Sequence, residues 1–181
     1  MKVYQISKNN ISPNRWDGGL TFEYFIFPVG SVYSNRNFDF RISSATIDKI
    51  PSNFTKFEGY QRYLVMLDND LQLERNGINE AYQKHEIFEF ISSDEVTSFS
   101  KGSDFNLMLH SKFCKHRTQL INENCISTEK WIILFSLQST KLYVDRQEFI
   151  LNDFDCLVID NFENKSIPIK IQNQLIFAAF S

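Results

Sequence analysis

Six polar side chains lie in apolar segments with strand character, and these are the residues of the sequence best placed to do chemistry. Their side chains donate or accept hydrogen bonds where the pattern indicates a sheet interior, and they are Thr21, Arg41, Ser43, Arg62, Asp104 and Asn106. A few polar groups among apolar strands are typical of a concave small-molecule site. A guanidinium group also matches a carboxylate, because its planar fork of donors can bind both oxygens. The sequence therefore favours binding of a small acidic metabolite over any particular reaction.

The two arginines bracket the segment from Phe38 to Arg62. Alternation along the first part of this segment places Phe40 and Ile42 on one face of a strand and Arg41 and Ser43 on the other. The first face is predicted to be core. The second face has two open interpretations, which are the floor of a pocket for a carboxylate and a solvated strand whose arginine pairs with a neighbouring acid.

A glycine pair precedes the first aromatic strand. Gly18 and Gly19 can form a tight turn or bulge, or they can let backbone amides approach a ligand. In the strand that follows, alternation predicts that Thr21, Glu23 and Phe25 share one face. Glu23 then points either to solvent or into a polar pocket.

Composition indicates an all-β protein. Phenylalanine is abundant at 18 residues, while glycine (6) and proline (4) are scarce, and isoleucine and phenylalanine recur in short runs. An opening strand is expected at residues 2–6, whereas the polar stretch 113–125 is interpreted as an irregular connection. Two segments about 70 residues apart, residues 62–74 and 130–145, resemble each other, which suggests two related β halves at 1–112 and 113–181.

Several classes of function are not favoured. The net charge of −3 is spread along the chain without a basic run, so nucleic acid is not an expected partner. No apolar segment reaches membrane-spanning length and the amino terminus does not read as a signal peptide. We therefore expect a cytoplasmic protein that has no membrane partner.

No metal centre or cofactor is predicted. The three histidines, His85, His110 and His116, include no HxH pair and no HxD doublet of the kind that many β-barrel metalloproteins use. The three cysteines are odd in number and widely spaced, so free thiols are expected. Neither a GxSxG elbow nor a cysteine–histidine signature is present, and no pair of carboxylates is selected by its spacing.

Four motifs in a fixed order carry a resemblance to a known family. They are WDGGLTFE (residues 16–23), FDFRISSA (38–45), FTKFEGYQR (54–62) and GSDFNLM (102–108). With them the chain resembles the HutD/Ves family of small bacterial proteins. The resemblance implies a bicupin, in which two cupin-like jelly-roll β-barrels are fused. Carried over by motif, the ligand-binding residues it implies are Trp16, Gly19, Thr21, Glu23, Arg41, Ser43, Arg62, Asp104, Asn106 and Met108.

The resemblance also implies a function for the HutD branch. Such proteins are linked to histidine utilisation, where they are thought to bind formylglutamate or a related acid and to restrain the pathway. We therefore expect a metal-free, non-catalytic binding protein with a regulatory role, and a homodimer is left open. Two alternatives stay open: a metal-free cupin enzyme that uses Glu23 or Asp104 as acid or base on a small polar metabolite, and a protein-interaction module.

Overall fold

The protein is built almost entirely from β-strands, and the computed structural model describes residues 1–181. Two short 3-10 turns, η1 (Lys8–Asn10) and η2 (Tyr33–Asn35), are its helical elements. The strands are β1 (Lys2–Ile6), β2 (Asn14–Trp16), β3 (Gly19–Phe27), β4 (Phe40–Ile47), β5 (Ser52–Asn53), β6 (Tyr60–Met66), β7 (Leu71–Arg75), β8 (Ile78–Tyr82), β9 (Ile87–Ile91), β10 (Val96–Ser98), β11 (Gly102–His110), β12 (His116–Ile121), β13 (Cys125–Ser127), β14 (Trp131–Ser136), β15 (Thr140–Val144), β16 (Gln147–Leu151), β17 (Cys156–Asp160), β18 (Ile167–Ile171) and β19 (Leu175–Phe180). The all-β class predicted from composition is confirmed. No helix has the length and apolar character needed to cross a bilayer.

The chain divides into two compact units. Residues 11–112 form one unit, and residues 1–10 together with 113–181 form the other. The first unit has a six-stranded sheet of order β2-β3-β4-β11-β6-β9 and a four-stranded sheet of order β5-β10-β7-β8. The second has a five-stranded sheet, β1-β17-β14-β19-β12, and a four-stranded sheet, β13-β18-β15-β16. The first ten residues belong to the second unit because β1 pairs with β17 along its whole length.

Eight consecutive strands are connected in the same order in both units. In β4 to β11 and again in β12 to β19, the first, eighth, third and sixth strands are neighbours in the larger sheet. The second, seventh, fourth and fifth strands form the smaller sheet. The two segments that resemble each other in sequence are the third and fourth strands of these sets. The internal similarity in the sequence therefore coincides with a repeated strand order.

The core of the first unit lies on both faces of its larger sheet. Phe40 and Ile42 of β4 are fully buried on the face predicted to be core, and the ring of Phe40 stacks against those of Phe25 and Phe27 at centroid distances of 5.7 and 5.6 Å. The other face of β4 is also covered, since Arg41 is buried as well. The open interpretation of a solvated arginine strand is therefore wrong.

Two local predictions fail for identifiable reasons. Strand β3 contains a β-bulge between Glu23 and Phe25, which pair with Ser43 and Ile42 respectively. The extra residue turns Phe25 to the face opposite Glu23, so the simple alternation predicted for this strand does not hold. The polar stretch after residue 113 contains β12, an edge strand whose mostly exposed residues hide the strand pattern.

Candidate functional site

One face of the larger sheet in the first unit forms the floor of a cavity. The register of β4, β11 and β6 aligns side chains of the same face in rows across the three strands. Read from β4 through β11 to β6, the rows are Ala45–Asp104–Met66, Ser43–Asn106–Leu64 and Arg41–Met108–Arg62. The two arginines therefore flank the central strand in a single row, and the polar residues of β11 lie in the rows beside them.

The cavity has a volume of about 210 Å³. Seven of the ten residues predicted for the site line it, namely Trp16, Thr21, Arg41, Ser43, Arg62, Asp104 and Asn106. They come from β2, β3, β4, β6 and β11, so residues far apart in sequence meet only because the strands pair. The structure thus brings most of the predicted set to one place.

Three predicted residues do not line the cavity. Glu23 is engaged by Arg41 and accepts a hydrogen bond from its Nε at 2.6 Å. Met108 is buried in an apolar cluster with Phe38, Phe57 and Tyr60, although it lies in the same row as the arginines. Gly19 sits where β3 runs against the backbone of β4.

The glycine pair serves close packing between parts of the chain. A Cβ at Gly19 would lie 2.1 Å from the carbonyl oxygen of Thr46, and a Cβ at Gly18 would lie 2.1 Å from the ring of Trp16. The missing side chain of Gly18 lets the indole fold over the backbone, where it borders the cavity while 37% exposed. Of the two interpretations left open for these glycines, the geometry supports the tight turn, since residues 17–18 form the turn between β2 and β3.

Arg41 is held by three partners. Its Nε donates to Glu23, its Nη1 donates to Ser43 Oγ at 3.0 Å, and its guanidinium lies 4.3 Å from the centre of the Tyr33 ring. The side chain is only 8% exposed. An ion pair, a hydroxyl and an aromatic face together fix the plane of this guanidinium at the edge of the cavity.

Arg62 is buried with fewer polar partners. Its Nη1 donates to the carbonyl oxygen of Thr55 at 3.3 Å, and the rings of Phe54 and Phe90 pack against the guanidinium at 5.4 and 4.9 Å. Its Nε has no hydrogen-bond acceptor although it is fully buried. Burial lowers the pKa of Arg62 to about 10, so the group is still charged at neutral pH. A buried, charged donor without an acceptor is unfavourable unless something else supplies one.

The polar residues of β11 complete the site. Asp104 is 4% exposed and accepts one hydrogen bond, from the backbone N–H of Ala45 at 3.0 Å. Burial raises the pKa of Asp104 to about 7, against the lowering effect of that hydrogen bond and of Arg62 and Arg41. The Oδ1 atom of Asn106 is buried and has no donor. The residues that line the cavity therefore include a buried donor and a buried acceptor without partners, and a carboxyl group whose pKa lies near neutrality.

Sequence reasoning missed the residues that wall the cavity. They come from the turn-rich segments around η2 and β5 and from the far end of β4, and they are Tyr33, Ala45, Ile47, Ser52, Asn53, Phe54 and Thr55. An aromatic ring inside a turn-rich segment can be buried only if the segment folds back onto the sheet. This signal could have selected Tyr33. The small polar residues of β5 carry no such signal.

The corresponding face in the second unit is apolar on two of its three strands, while the third contributes Arg117 and Gln119. The strands equivalent to β4, β6 and β11 are β12, β14 and β19, and the buried cluster there includes Ile132, Leu134, Phe177 and Ala179. Arg117 and Gln119 are exposed at the sheet edge, and the buried part of this face is packed with apolar side chains. The buried polar residues of the cavity floor thus have apolar counterparts on the equivalent central strands of the second unit.

The histidines and acids do not gather into a metal site. No group of three or more histidine, cysteine, aspartate or glutamate side chains is placed to hold a metal ion. His85 lies in a turn, while His110 and His116 lie at the end of β11 and the start of β12.

The fold and the cavity together define a cupin-like all-β protein. The structure is similar to that of a cupin 2 conserved barrel domain protein from Leptotrichia buccalis, with a TM-score of 0.59 at 9% identity, over 100% of this chain and 98% of that one. The chain belongs to the HutD family, whose family model matches residues 8–177. The resemblance inferred from the four motifs is therefore confirmed.

Two solved structures agree with this assignment. HutD from Pseudomonas fluorescens SBW25 superposes with a TM-score of 0.83 at 21% identity, covering 99% of this chain and 98% of that chain. A conserved protein of unknown function from Pseudomonas aeruginosa PAO1 gives the same TM-score at 20% identity, covering 100% and 98%. No curated protein shows significant sequence similarity to the chain.

Proposed function

We propose that the protein binds a small acidic metabolite in the cavity of its first unit and does not turn it over. The observation that carries this proposal is the pair of buried guanidinium groups of Arg41 and Arg62 that line one cavity, of which Arg62 has an Nε without an acceptor within the protein. A ligand carboxylate supplies the missing acceptor. Charge-assisted hydrogen bonds of this kind are shorter and stronger than those between neutral groups because both partners are ionised.

A bicupin architecture is part of the same proposal. The strand order of β4 to β11, repeated in β12 to β19, supports two jelly-roll halves, since a jelly roll arranges eight antiparallel strands in two sheets. One half then carries the ligand cavity and the other is filled by apolar side chains. In this proposal the metabolite is bound by side chains of the protein alone, and no metal ion takes part.

The biological role that we propose is regulation of histidine utilisation in the cytoplasm. Membership of the HutD family supports this role. The ligand class that follows is formylglutamate or a related acid of that pathway. Binding without turnover suits a protein that senses the level of an intermediate and restrains the pathway.

Calorimetry on an arginine variant tests the proposal. The parent protein is titrated with N-formylglutamate, urocanate and related acids, and Arg41→Ala is titrated with every acid that binds. Loss of a buried charge-assisted contact of about 1.5 to 3 kcal/mol corresponds to an affinity about tenfold weaker or more. Unchanged binding of all these acids would remove the arginine from the site.

Arg75→Ala is the matched control for this experiment. Arg75 is a partly buried strand arginine that pairs with Glu80 and packs on Phe88, and it does not line the cavity. Its variant is expected to lose some stability and keep the parent affinity. A similar loss of binding in both variants would show that the effect of Arg41→Ala comes from general destabilisation.

An enzyme is the second candidate, and Asp104 is the observation that favours it. A carboxyl group whose pKa lies near 7 can donate or accept a proton at neutral pH, as a general acid or base must. Glu23, the other carboxylate considered, is ion-paired with Arg41 and does not line the cavity. Assays of the parent and of Asp104→Asn with the acids that bind decide between the candidates, because turnover that depends on Asp104 would establish an enzyme.

A further inference from the structure

The carboxyl group of Asp104 faces the same cavity as the two guanidinium groups. Asp104 lies next to Asn106 on the cavity face of β11, and both residues line the cavity together with Arg41 and Arg62. Its Oδ1 accepts the hydrogen bond from Ala45, while Oδ2 has no hydrogen-bond partner within the protein. One carboxyl oxygen is therefore available to a ligand.

The charged groups around Asp104 come from each element packed against it. Arg41 projects from β4 and Arg62 from β6, and both favour the ionised form of the carboxyl group. Asp68, which follows β6 and accepts the backbone N–H of Ser103, opposes ionisation. Glu23 of β3 is paired with Arg41, and Tyr33 of η2 covers that arginine. In the empty cavity, ionised Asp104 is the anion that partly balances Arg62.

A bound ligand carboxylate replaces Asp104 as the anion that balances the charge of Arg62. Once the ligand's oxygens accept from Arg62, two carboxylates share one cavity, and a neighbouring like charge disfavours the ionised form of the buried Asp104. The repulsion between the Asp104 carboxylate and the ligand carboxylate is removed when Oδ2 of Asp104 takes up a proton from solvent. The new O–H then donates a hydrogen bond to the ligand, and such O–H···O⁻ bonds are short and strong.

We infer that Asp104 is a specificity-determining residue of the cavity and that it takes up one proton when an acidic ligand binds. This inference rests on the proposed function, because it concerns the ligand of the same site. It also defines the ligand class more closely. The ligand group next to Asp104 has to be an anionic oxygen that accepts a hydrogen bond. A ligand with an ammonium group at this position would instead require Asp104 to be ionised.

The pH dependence of affinity follows from this exchange. The pKa of Asp104 in the empty cavity is about 7, and a neighbouring ligand carboxylate raises it further. Between these two values the association constant falls about tenfold for each unit of rising pH. Below pH 7 it becomes independent of Asp104, since the group is already protonated before the ligand arrives.

Calorimetry in two buffers measures the proton directly. The full chain is titrated with N-formyl-L-glutamate at pH 8 in phosphate and in Tris, whose ionisation enthalpies differ, and the difference in observed heat gives the number of protons taken up. We expect a value close to one for the parent and close to zero for Asp104→Asn. The variant, which lacks the negative charge, is expected to bind about tenfold more tightly than the parent at pH 8 and equally well at pH 6.

Asp48→Asn is the matched control, because Asp48 is an exposed carboxylate just after β4 that does not line the cavity. It should take up the same number of protons as the parent. Absence of proton uptake in the parent, or equal uptake in Asp104→Asn, would overturn the inference. So would an affinity for the probe that decreases as the pH is lowered, which is the behaviour expected of an ammonium ligand.

Two further measurements keep the inference testable if the variant does not fold or the probe does not bind. Asp68→Asn keeps an oxygen for Ser103 but removes a charge that opposes ionisation of Asp104, so it should shift the pH midpoint of binding downward and leave the low-pH affinity unchanged. Carbon-13 NMR of the ligand-free protein follows the Asp104 carboxyl group directly, and titration below pH 5 would overturn the inference. Failure of all acids to bind at any pH contradicts the proposed function, whereas binding without proton uptake contradicts only the role of Asp104.

Discussion

Arg41 and Arg62 lie on either side of Met108 in one row of the six-stranded sheet, so that two buried guanidinium groups face one cavity across a single strand. Their surroundings differ. Arg41 has a carboxylate and a hydroxyl as partners, whereas Arg62 has one carbonyl oxygen and two aromatic rings. The second arginine is therefore the one that lacks a hydrogen-bonded carboxylate in the empty site.

Arg62→Met is expected to separate stability from binding. Methionine keeps the apolar contacts with Phe54 and Phe90 but removes a buried charge, so the free energy of unfolding should stay level or rise by about 1 kcal/mol. Acid binding should fall at least about tenfold. Urea unfolding and calorimetry on the same preparations measure both quantities. A clear loss of stability would show that the guanidinium is well compensated in the empty cavity.

Gly19→Ala is expected to destabilise the first unit. The added methyl group would lie 2.1 Å from the carbonyl oxygen of Thr46. Because a paired backbone cannot move aside without cost, the overpacking is expected to lower the free energy of unfolding by about 1 to 3 kcal/mol. Gly30→Ala is the control, since that glycine also has positive φ but has nothing within 4 Å of the added atom. Thermal unfolding compares the stability of the two variants. An equal loss of stability in both would rule out the contact with Thr46 as the cause of the destabilisation.

The stability of the ligand-free protein should depend on Asp104 between pH 4 and pH 7. The pKa of this group rises from 3.8 in the unfolded chain to about 7 in the folded protein, so the folded state binds more protons in this window. Stability therefore declines as the pH rises from about 4 to about 7, by roughly 4 kcal/mol from this group. Asp104→Asn should be more stable than the parent at pH 8 and about equal at pH 4. Urea unfolding at both pH values checks this, and a constant difference between the two proteins would contradict it.

The three thiols should react in the order of their exposure. Cys114 is exposed, Cys125 is intermediate and Cys156 is buried, and none forms a disulfide. Burial also raises the pKa of Cys125 and that of Cys156, which disfavours the reactive thiolate. Timed alkylation with mass spectrometry should therefore label Cys114 first and Cys156 only after unfolding. Rapid labelling of Cys156 in the native protein would indicate local opening of β17.

Sequence patterns predict the elements of this fold better than their connections. The opening strand at residues 2–6 and the long apolar strands appear as predicted, because alternating or continuous apolar residues report burial directly. Strand β12 escapes the same reasoning, since an edge strand that faces solvent on most positions has no apolar pattern. The repeated strand order is visible in sequence only where the third and fourth strands keep similar residues.

The candidate site is predictable to a similar extent. Polar residues with strand spacing, such as Arg41 and Ser43, can be selected because a sheet interior rarely holds them without a reason. Tyr33 and Thr55 cannot be selected in this way, because they reach the cavity from turns whose path depends on tertiary packing. Nor does the sequence show that the Nε of Arg62 lacks an acceptor while that of Arg41 has a carboxylate.

The bulge in β3 determines which residues of this strand face the cavity side of the sheet and which face the aromatic core. Tyr24 is the residue that the bulge adds between Glu23 and Phe25. If the same residues paired without the bulge, strict alternation would put Glu23 and Phe25 on one face of the strand. Either Glu23 would then leave Arg41 or the aromatic residues that pack on Phe40 would turn away from the core. A chain without Tyr24 would pair regularly and keep Glu23 and Phe25 on opposite faces, so the bulge is what lets this longer strand serve the cavity and the core at once.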